Sequence, residues 1–290
     1  MRYLALLLVP LLLLCSCAGE EGSTVRFISV ARDYSSSYIT TLSNTTHDQA
    51  ALSEELYYLS TGSASGYEET LFLEKDGVWT VNHVRSDWDT DSVLEALESV
   101  EADPGDLLIF HYSGHGDSSG SLVIDDSSYL SLDDLLGAVR KTGGKKLVIL
   151  DSCYSGNAVT STALSNGETF SDSKLVSSSF LKAVAESFQL LFAGGFAELE
   201  DTWVFAAVTD EQEAQDVWDT GEAGQDCYGA FTYQVLKALG YDFEEGIPGR
   251  SEETITLYGV YEAVMESISD DLKAVSTPQV TLSPIDLVLF

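Results

Sequence analysis

Apolar residues along this chain follow two alternating patterns. Short runs rich in β-branched and aromatic residues predict strands, at residues 24–31, 106–112, 146–150 and 202–208. Segments with apolar residues on one helical face predict helices, at residues 47–59, 90–100, 131–140, 229–239 and 256–269. The run at 106–112 is apolar on both faces, which is typical of a central strand covered by helices on either side. This alternation predicts an α/β sandwich with a mostly parallel sheet.

Turn and capping residues divide these elements. Lys75-Asp76-Gly77 predicts a hairpin turn between strands at residues 69–73 and 78–82. Thr90 is the predicted N-cap of its helix, and Ser131-Leu132-Asp133-Asp134 resembles a capping box at the start of the next. A last strand is expected at residues 279–289.

Residues 157–200 interrupt the alternation between two predicted central strands. The first half is rich in Ser, Thr, Gly and Asn, which favours a surface loop, and residues 179–192 have a helical pattern. Because the stretch lies between two strands of one sheet, it is an insertion and not a domain boundary. With no repeat and no domain-sized linker, we predict one domain over residues 24–290.

The first residues have the features of an export signal. Arg2 precedes an apolar run at residues 4–14, which is too short to cross a bilayer core of about 30 Å as a helix. The run ends in Leu14-Cys15-Ser16-Cys17, which resembles a bacterial lipobox. By that resemblance, residues 1–16 form a lipoprotein signal peptide, Cys17 carries the lipid anchor and residues 17–23 are a tether. The expected location is the periplasmic or extracellular face of a bacterial cell envelope; ordinary secretory cleavage is the alternative.

The charge balance excludes one class of partner. Fourteen basic and 47 acidic residues give a net charge of −33. Such a surface repels phosphate backbones, so nucleic-acid binding is not expected. The same acidity attracts basic segments of proteins, although it is also explained by solubility alone.

Two segments with chemical potential follow two of the predicted central strands. The first is Phe110-His111-Tyr112-Ser113-Gly114-His115-Gly116, and the second is Asp151-Ser152-Cys153-Tyr154-Ser155-Gly156. In open α/β sheets, sites form in the crevice outside the carboxyl ends of the strands. Neighbouring strands that end in this way would present His115 and Cys153 to one crevice.

A cysteine and a histidine within reach of each other form a nucleophilic pair. A free thiol has a pKa of about 8.5 and is only slightly ionised at neutral pH, whereas an imidazole has a pKa of about 6.5. An imidazole within reach can accept the thiol proton and later return it to a leaving amine. The main-chain amides of Gly116 and Cys153 are candidate oxyanion donors. A structural disulfide between Cys153 and Cys227, the two cysteines of the predicted domain, is the alternative.

The two segments resemble the catalytic His and Cys motifs of metacaspases and their bacterial caspase-like relatives. The resemblance extends to residues 203–207, 228–232 and 277–279 and thus spans most of the chain. It implies a caspase-like three-layer sandwich and a cysteine endopeptidase with His115 as acid–base and Cys153 as nucleophile, with no cofactor required. A catalytically silent binding module with the same fold is the alternative.

The resemblance also implies substrate preference. In metacaspases the position of Asp151 lines a pocket for a basic side chain, and a second acidic residue corresponds to Asp48, although Gln49 departs from the family's Asn-Asp-Ala pattern. Two carboxylates favour Arg or Lys before the scissile bond, in a protein or peptide substrate. A structural cap at the end of its strand is the alternative for Asp151.

Three further residues or pairs each have two interpretations. His111 is interpreted as a core or supporting residue, because no third metal ligand accompanies it and His115; no metal site is predicted. Asp133 and Asp134 fall where some metacaspases bind calcium, and helix capping explains them equally. Lys174 in the insertion is a candidate self-cleavage position, with an inert loop as the alternative.

Overall fold

A computed structural model of the chain describes residues 22–63, 66–159, 201–215, 227–249, 254–281 and 286–290. Within these residues the centre of the molecule is an eight-stranded sheet. Its strands are β1 (Thr24–Arg32), β2 (Gly66–Lys75), β3 (Val78–Val81), β4 (Val84–Arg85), β5 (Leu107–Ser113), β8 (Lys145–Asp151), β9 (Thr202–Ala206) and β10 (Gln279–Val280). They lie side by side in the order β10-β9-β8-β5-β1-β2-β3-β4. A separate two-stranded sheet contains β6 (Leu122–Asp125) and β7 (Ser128–Leu130).

The middle of the large sheet is parallel. Strands β2, β1, β5, β8 and β9 pair in parallel with their neighbours, whereas β3, β4 and β10 are antiparallel additions at the two edges. All seven residues of β5 are buried, as expected for the predicted strand that was apolar on both faces. The prediction of a mostly parallel sheet is therefore confirmed.

Helices cover both faces of this sheet. They are α1 (Thr45–Gly62), α2 (Thr90–Glu98), α3 (Leu132–Lys141), α4 (Ala230–Leu239), α5 (Leu257–Ser267) and α6 (Asp270–Lys273). One apolar cluster joins α1, α4 and α5 to the sheet, and a second joins α2 and α3 to the opposite face. Alternate residues of β1 divide accordingly, with Phe27 in the first cluster and Val30 in the second. These layers confirm the predicted three-layer sandwich.

Several element boundaries differ from the predictions. Helix α2 is capped by Asp89 and not by Thr90, because the Asp89 carboxylate accepts from the Ser92 main chain in a reciprocal capping box. The last strand, predicted at 279–289, is limited to β10 among the described residues. Strand β2 starts earlier than predicted, since its pairing with β1 begins at Gly66. The start of β2 is set by its parallel pairing with β1, and the pattern of apolar residues does not predict it.

The predictions for the N-terminus and the insertion lie largely outside the described residues. These are the signal peptide at 1–16, the Cys17 anchor, Lys174 and the helix at 179–192. Among the residues that are described, no helix combines the length and apolar character needed to cross a bilayer.

Candidate active site

The carboxyl ends of the central strands open onto one cavity of about 350 Å³. The parallel register places Ser113, the last residue of β5, beside Asp151, the last residue of β8. The cavity is lined by four residues predicted from the sequence: Asp48, His115, Asp151 and Cys153. The main-chain segments after β5 and β8 are therefore brought together as the strand-end argument requires.

His115 is half-buried and is held through both its ring and its main chain. The ring nitrogen Nε2 lies 2.7 Å from the main-chain carbonyl of Thr40. Because a carbonyl only accepts, this contact assigns the hydrogen to Nε2, and in the neutral imidazole Nδ1 is then the acceptor. The His115 carbonyl accepts from the Val123 amide at 2.9 Å.

A close main-chain approach joins the two halves of the site. A Cβ on Gly116 would lie 2.3 Å from the carbonyl oxygen of Cys153, so only glycine permits this contact. The turn that carries Cys153 also includes Tyr154 with a φ of 55°, in the left-handed region. The Tyr154 amide donates to the carbonyl of Gln212 at 2.8 Å, which ties this turn to the segment after β9.

Among the described residues, the structure does not contain the disulfide that was the alternative for Cys153. Cys153 and Cys227 are not joined in a disulfide within the part of the chain that is described. Cys153 lines the cavity as a thiol, and Cys227 is exposed.

Two buried carboxylates form the acidic wall of the cavity. Asp48 accepts from the Gly229 amide at 2.8 Å and from the Ser113 hydroxyl at 2.7 Å. Asp151 accepts from the amide and the hydroxyl of Thr232, at 3.1 and 2.8 Å, in the first turn of α4. A Cβ on Gly229 would lie 2.6 Å from Oδ2 of Asp151 and 2.9 Å from Oδ2 of Asp48, so both carboxylates converge on this glycine.

Gln49, where the sequence departs from the metacaspase pattern, points away from this wall. Its side-chain amide donates to the main-chain carbonyls of Ser29 and Phe72, at 3.1 and 3.0 Å. It therefore attaches α1 to the sheet from the helix face next to Asp48. The departure from the pattern leaves Asp48 on the cavity wall.

His111 belongs to the core, as one of its two interpretations predicted. It is fully buried, with Nδ1 2.9 Å from the Ser29 hydroxyl and its ring stacked on Phe27. Burial lowers the pKa of His111 to about 3, so the ring is neutral at physiological pH.

Asp133 and Asp134 lie in the first turn of α3. The Ser131 hydroxyl accepts from the Asp134 amide at 3.1 Å, which confirms Ser131 as the N-cap. The reciprocal contact of a capping box is not seen among the described residues, since the Ser131 hydroxyl also contacts the Asp134 carboxylate. No group of three or more His, Cys, Asp or Glu side chains that could hold a metal ion occurs within the described ranges.

A comparison with protein families identifies the family of this chain. The profile described as "Caspase domain" matches residues 31–246, which is most of the chain. The chain belongs to the caspase-domain family. The family predicted from the His and Cys motifs is thereby confirmed, and the caspase domain supplies a cysteine-peptidase type of fold.

Solved structures show the same fold. The caspase domain is similar to protein GSU0716 from Geobacter sulfurreducens, with a TM-score of 0.50, 18% identity and coverage of 92% of this chain and 93% of that chain. It is also similar to caspase-1 from Spodoptera frugiperda, with a TM-score of 0.50, 15% identity and coverage of 93% and 91%. A comparison with curated proteins finds no match.

Several residues of the site were missed by the sequence analysis. Thr40 and Leu42 line the cavity from the loop after β1, and Glu213, Ala214 and Gln215 line it from the segment after β9. No hydrophobic pattern marks these positions. The only signal in the sequence was their place directly after a predicted central strand, where loops of α/β proteins carry function.

Proposed function

We propose that this caspase domain is a cysteine endopeptidase in which Cys153 is the nucleophile and His115 the general acid–base. The observation that carries the proposal is the single cavity lined by His115, Cys153 and two buried carboxylates. A catalytically silent protein with the same fold would have no chemical need for these four side chains in one cavity.

The chemistry follows from the hydrogen bond to Thr40. With the hydrogen on Nε2 held by that carbonyl, Nδ1 of His115 accepts the proton of the Cys153 thiol. The thiolate attacks the peptide carbonyl, and the amides of Gly116 and Cys153 stabilise the oxyanion, an effect of roughly 3 kcal/mol for a single donor. His115 then protonates the leaving amine, and water releases the acyl group from the sulfur.

The acidic wall supports a preference for Arg or Lys before the scissile bond. Asp48 and Asp151 are buried, line the same cavity and converge on Gly229. A guanidinium group can bond carboxylates in a bidentate manner, whereas an ammonium acts as a point charge. We therefore propose protein or peptide substrates with a basic side chain at that position.

The remaining parts of the proposal rest on the sequence. Cys17 would anchor the protein by a lipid to the bacterial cell envelope, and cleavage after Lys174 would release a restraint on the cleft. We propose that catalysis requires no cofactor. Mass spectrometry of the mature N-terminus tests the anchor, and fragment maps of the wild type and Cys153→Ala after incubation test self-cleavage.

A positional-scanning peptide library tests the activity, the nucleophile and the preference together. We expect the wild type to cleave after Arg and Lys, and Cys153→Ala to be inactive. Faster cleavage after Asp than after Arg or Lys would overturn the preference. A wild type that binds basic peptides without cleaving any would favour the silent binding module instead.

A further inference from the structure

Two buried tyrosine hydroxyls hold the main chain of His115 from beneath the cavity. The His115 amide donates to the hydroxyl of Tyr34 at 2.9 Å, and the Tyr112 hydroxyl donates to the His115 carbonyl at 2.7 Å. The two hydroxyls lie 2.9 Å from each other. Both tyrosines are completely buried.

These groups can form a closed ring of hydrogen bonds, called the circuit below, in which every bond runs in the same direction. The His115 amide donates to Tyr34, the Tyr34 hydroxyl donates to Tyr112, and the Tyr112 hydroxyl donates back to the His115 carbonyl. The carbonyl of Val123, 2.8 Å from the Tyr34 hydroxyl and 3.0 Å from that of Tyr112, is a second acceptor for the same hydrogens. Linked hydrogen bonds in a dry interior strengthen one another, so the circuit fixes both peptide groups of His115.

The circuit depends on close approach at Gly114. A Cβ there would lie 2.6 Å from both tyrosine hydroxyls, so a side chain would push the two rings away from the His115 main chain. Tyr34 itself has a φ of 59°, in the left-handed region that a residue with a bulky side chain rarely adopts. Strain of this kind persists where the surrounding structure imposes it, often at functional sites.

The Tyr34 ring also contacts the histidine ring directly. The centroids of the Tyr34 and His115 rings are 4.7 Å apart, and the guanidinium carbon of Arg32 lies 4.6 Å from the Tyr34 centroid. Arg32 is held in turn by Glu74, at 3.4 Å. Burial raises the pKa of Tyr34 to about 12, so its hydroxyl stays protonated at physiological pH.

We propose that Tyr34 is a positioning residue for His115. It holds the histidine amide through its hydroxyl and the imidazole through its ring, so that Nε2 stays on Thr40 and Nδ1 remains available to Cys153. The proposal rests on the proposed function for its effect on rate, but the position of the imidazole is measurable without any substrate.

The test compares Tyr34→Phe with Tyr258→Phe. The second variant loses a buried hydroxyl that donates to the Thr281 carbonyl at 3.2 Å, remote from the cavity, and is the matched control. For Tyr34→Phe we expect kcat on an Arg substrate to fall by about 10- to 100-fold, with KM changed less than about 3-fold, because a displaced group loses rate more than binding. Tyr112→Phe opens the same circuit at its other end and serves if Tyr34→Phe does not fold.

A spectroscopic readout separates positioning from mere stabilisation. The chain has four histidines, so the ¹⁵N resonances of the His115 ring can be assigned with a His115→Asn reference. We expect the wild type to show the single tautomer with hydrogen on Nε2, Tyr34→Phe to show a mixture of tautomers, and Tyr258→Phe to match the wild type. Unchanged ring resonances in folded Tyr34→Phe, or in Tyr112→Phe if it is used, would overturn the proposal, whatever the rate. A wild type without peptidase activity would defeat the proposed function, and the resonances would still decide the positioning.

Discussion

Two acidic regions of this caspase domain have similar composition and different surroundings. Asp48 and Asp151 lie at 0% and 7% exposure, come from distant parts of the chain and converge on Gly229 in the cavity. Asp133 and Asp134 are adjacent and exposed in the first turn of α3, where Asp134 contacts Ser131. In a chain with a net charge of −33, a pair of acidic residues does not by itself identify a binding site. Asp151 also accepts from the first turn of α4, so contact with a helix start does not separate the two regions. Burial and convergence of carboxylates from separate elements on one cavity are what distinguish the candidate binding wall.

Asp151→Asn removes one of the two charges of the cavity wall and is the substitution from which we expect the largest effect. The amide oxygen can still accept from Thr232, so the fold should be retained while the charge is lost. We expect kcat/KM for a peptide with Arg before the scissile bond to fall by about 100-fold, or roughly 3 kcal/mol. The control substrate carries citrulline, a neutral isostere of Arg. Equal losses on both substrates would show that Asp151 does not recognise the positive charge.

A methyl group placed between the two carboxylates tests their convergence. Gly229→Ala introduces a Cβ within contact distance of both Oδ2 atoms, and its φ of −58° tolerates alanine, so any effect is steric. We expect kcat/KM on the Arg substrate to fall by about 10- to 30-fold through displacement of the carboxylates.

Gly137→Ala is the matched control for that substitution. Gly137 lies within α3, and its Cβ would meet nothing within 4 Å. This variant should keep the wild-type kcat/KM and gain about 0.5–1 kcal/mol in the free energy of unfolding, because alanine favours the helix. Wild-type kcat/KM in Gly229→Ala would contradict the convergence of the two carboxylates on the substrate.

Glu55 is a third case, since it is buried like Asp48 and lies on the same helix, but it does not line the cavity. One oxygen accepts from the Gly249 amide at 3.0 Å, and the other has no hydrogen-bond partner among the described residues. Burial, reinforced by the charge of Glu54, raises the pKa of Glu55 from its ordinary 4.5 to about 7. The folded protein therefore holds this proton more tightly than the unfolded chain does. The resulting stabilisation is complete below pH 4.5 and is lost as the pH rises through about 7.

Glu55→Gln should remove this pH dependence. A neutral amide can accept from Gly249 without the cost of a buried charge, so the gain in the free energy of unfolding over the wild type should be about 2 kcal/mol larger at pH 8 than at pH 5. Urea unfolding at both pH values measures it. Glu54→Gln removes only the smaller, charge-based cause of the raised Glu55 pKa, so it should reduce the pH dependence without abolishing it. An equal gain at pH 5 and pH 8 would mean that Glu55 is not protonated in the folded state.

Asp133→Asn should have the smallest effect. The side chain contributes only a favourable charge near the start of α3, so we expect the free energy of unfolding to change by less than about 0.5 kcal/mol. Peptidase activity should be the same with added calcium as with a chelator. Activation by calcium in the wild type that is lost in Asp133→Asn would instead assign this region to a calcium site.

The sequence sufficed for the central sheet because buried parallel strands have strong apolar signals. Strand β5 and the His115 segment after it were predicted on that basis, and the cavity was expected where β5 and β8 end. Tyr34 and Thr40 were not predicted, because their importance arises from contacts with His115 across 81 and 75 residues of chain. Such contacts depend on the path of the loop after β1, which has no periodic pattern.

The ends of the large sheet also bear on how copies of this molecule meet. The outer strands β4 and β10, as described, contain two residues each. A two-residue strand offers a neighbouring chain very few main-chain donors and acceptors in register, which is one way in which natural sheets avoid edge-to-edge association. Crowding many copies on one surface would therefore give little opportunity for their sheets to fuse into aggregates.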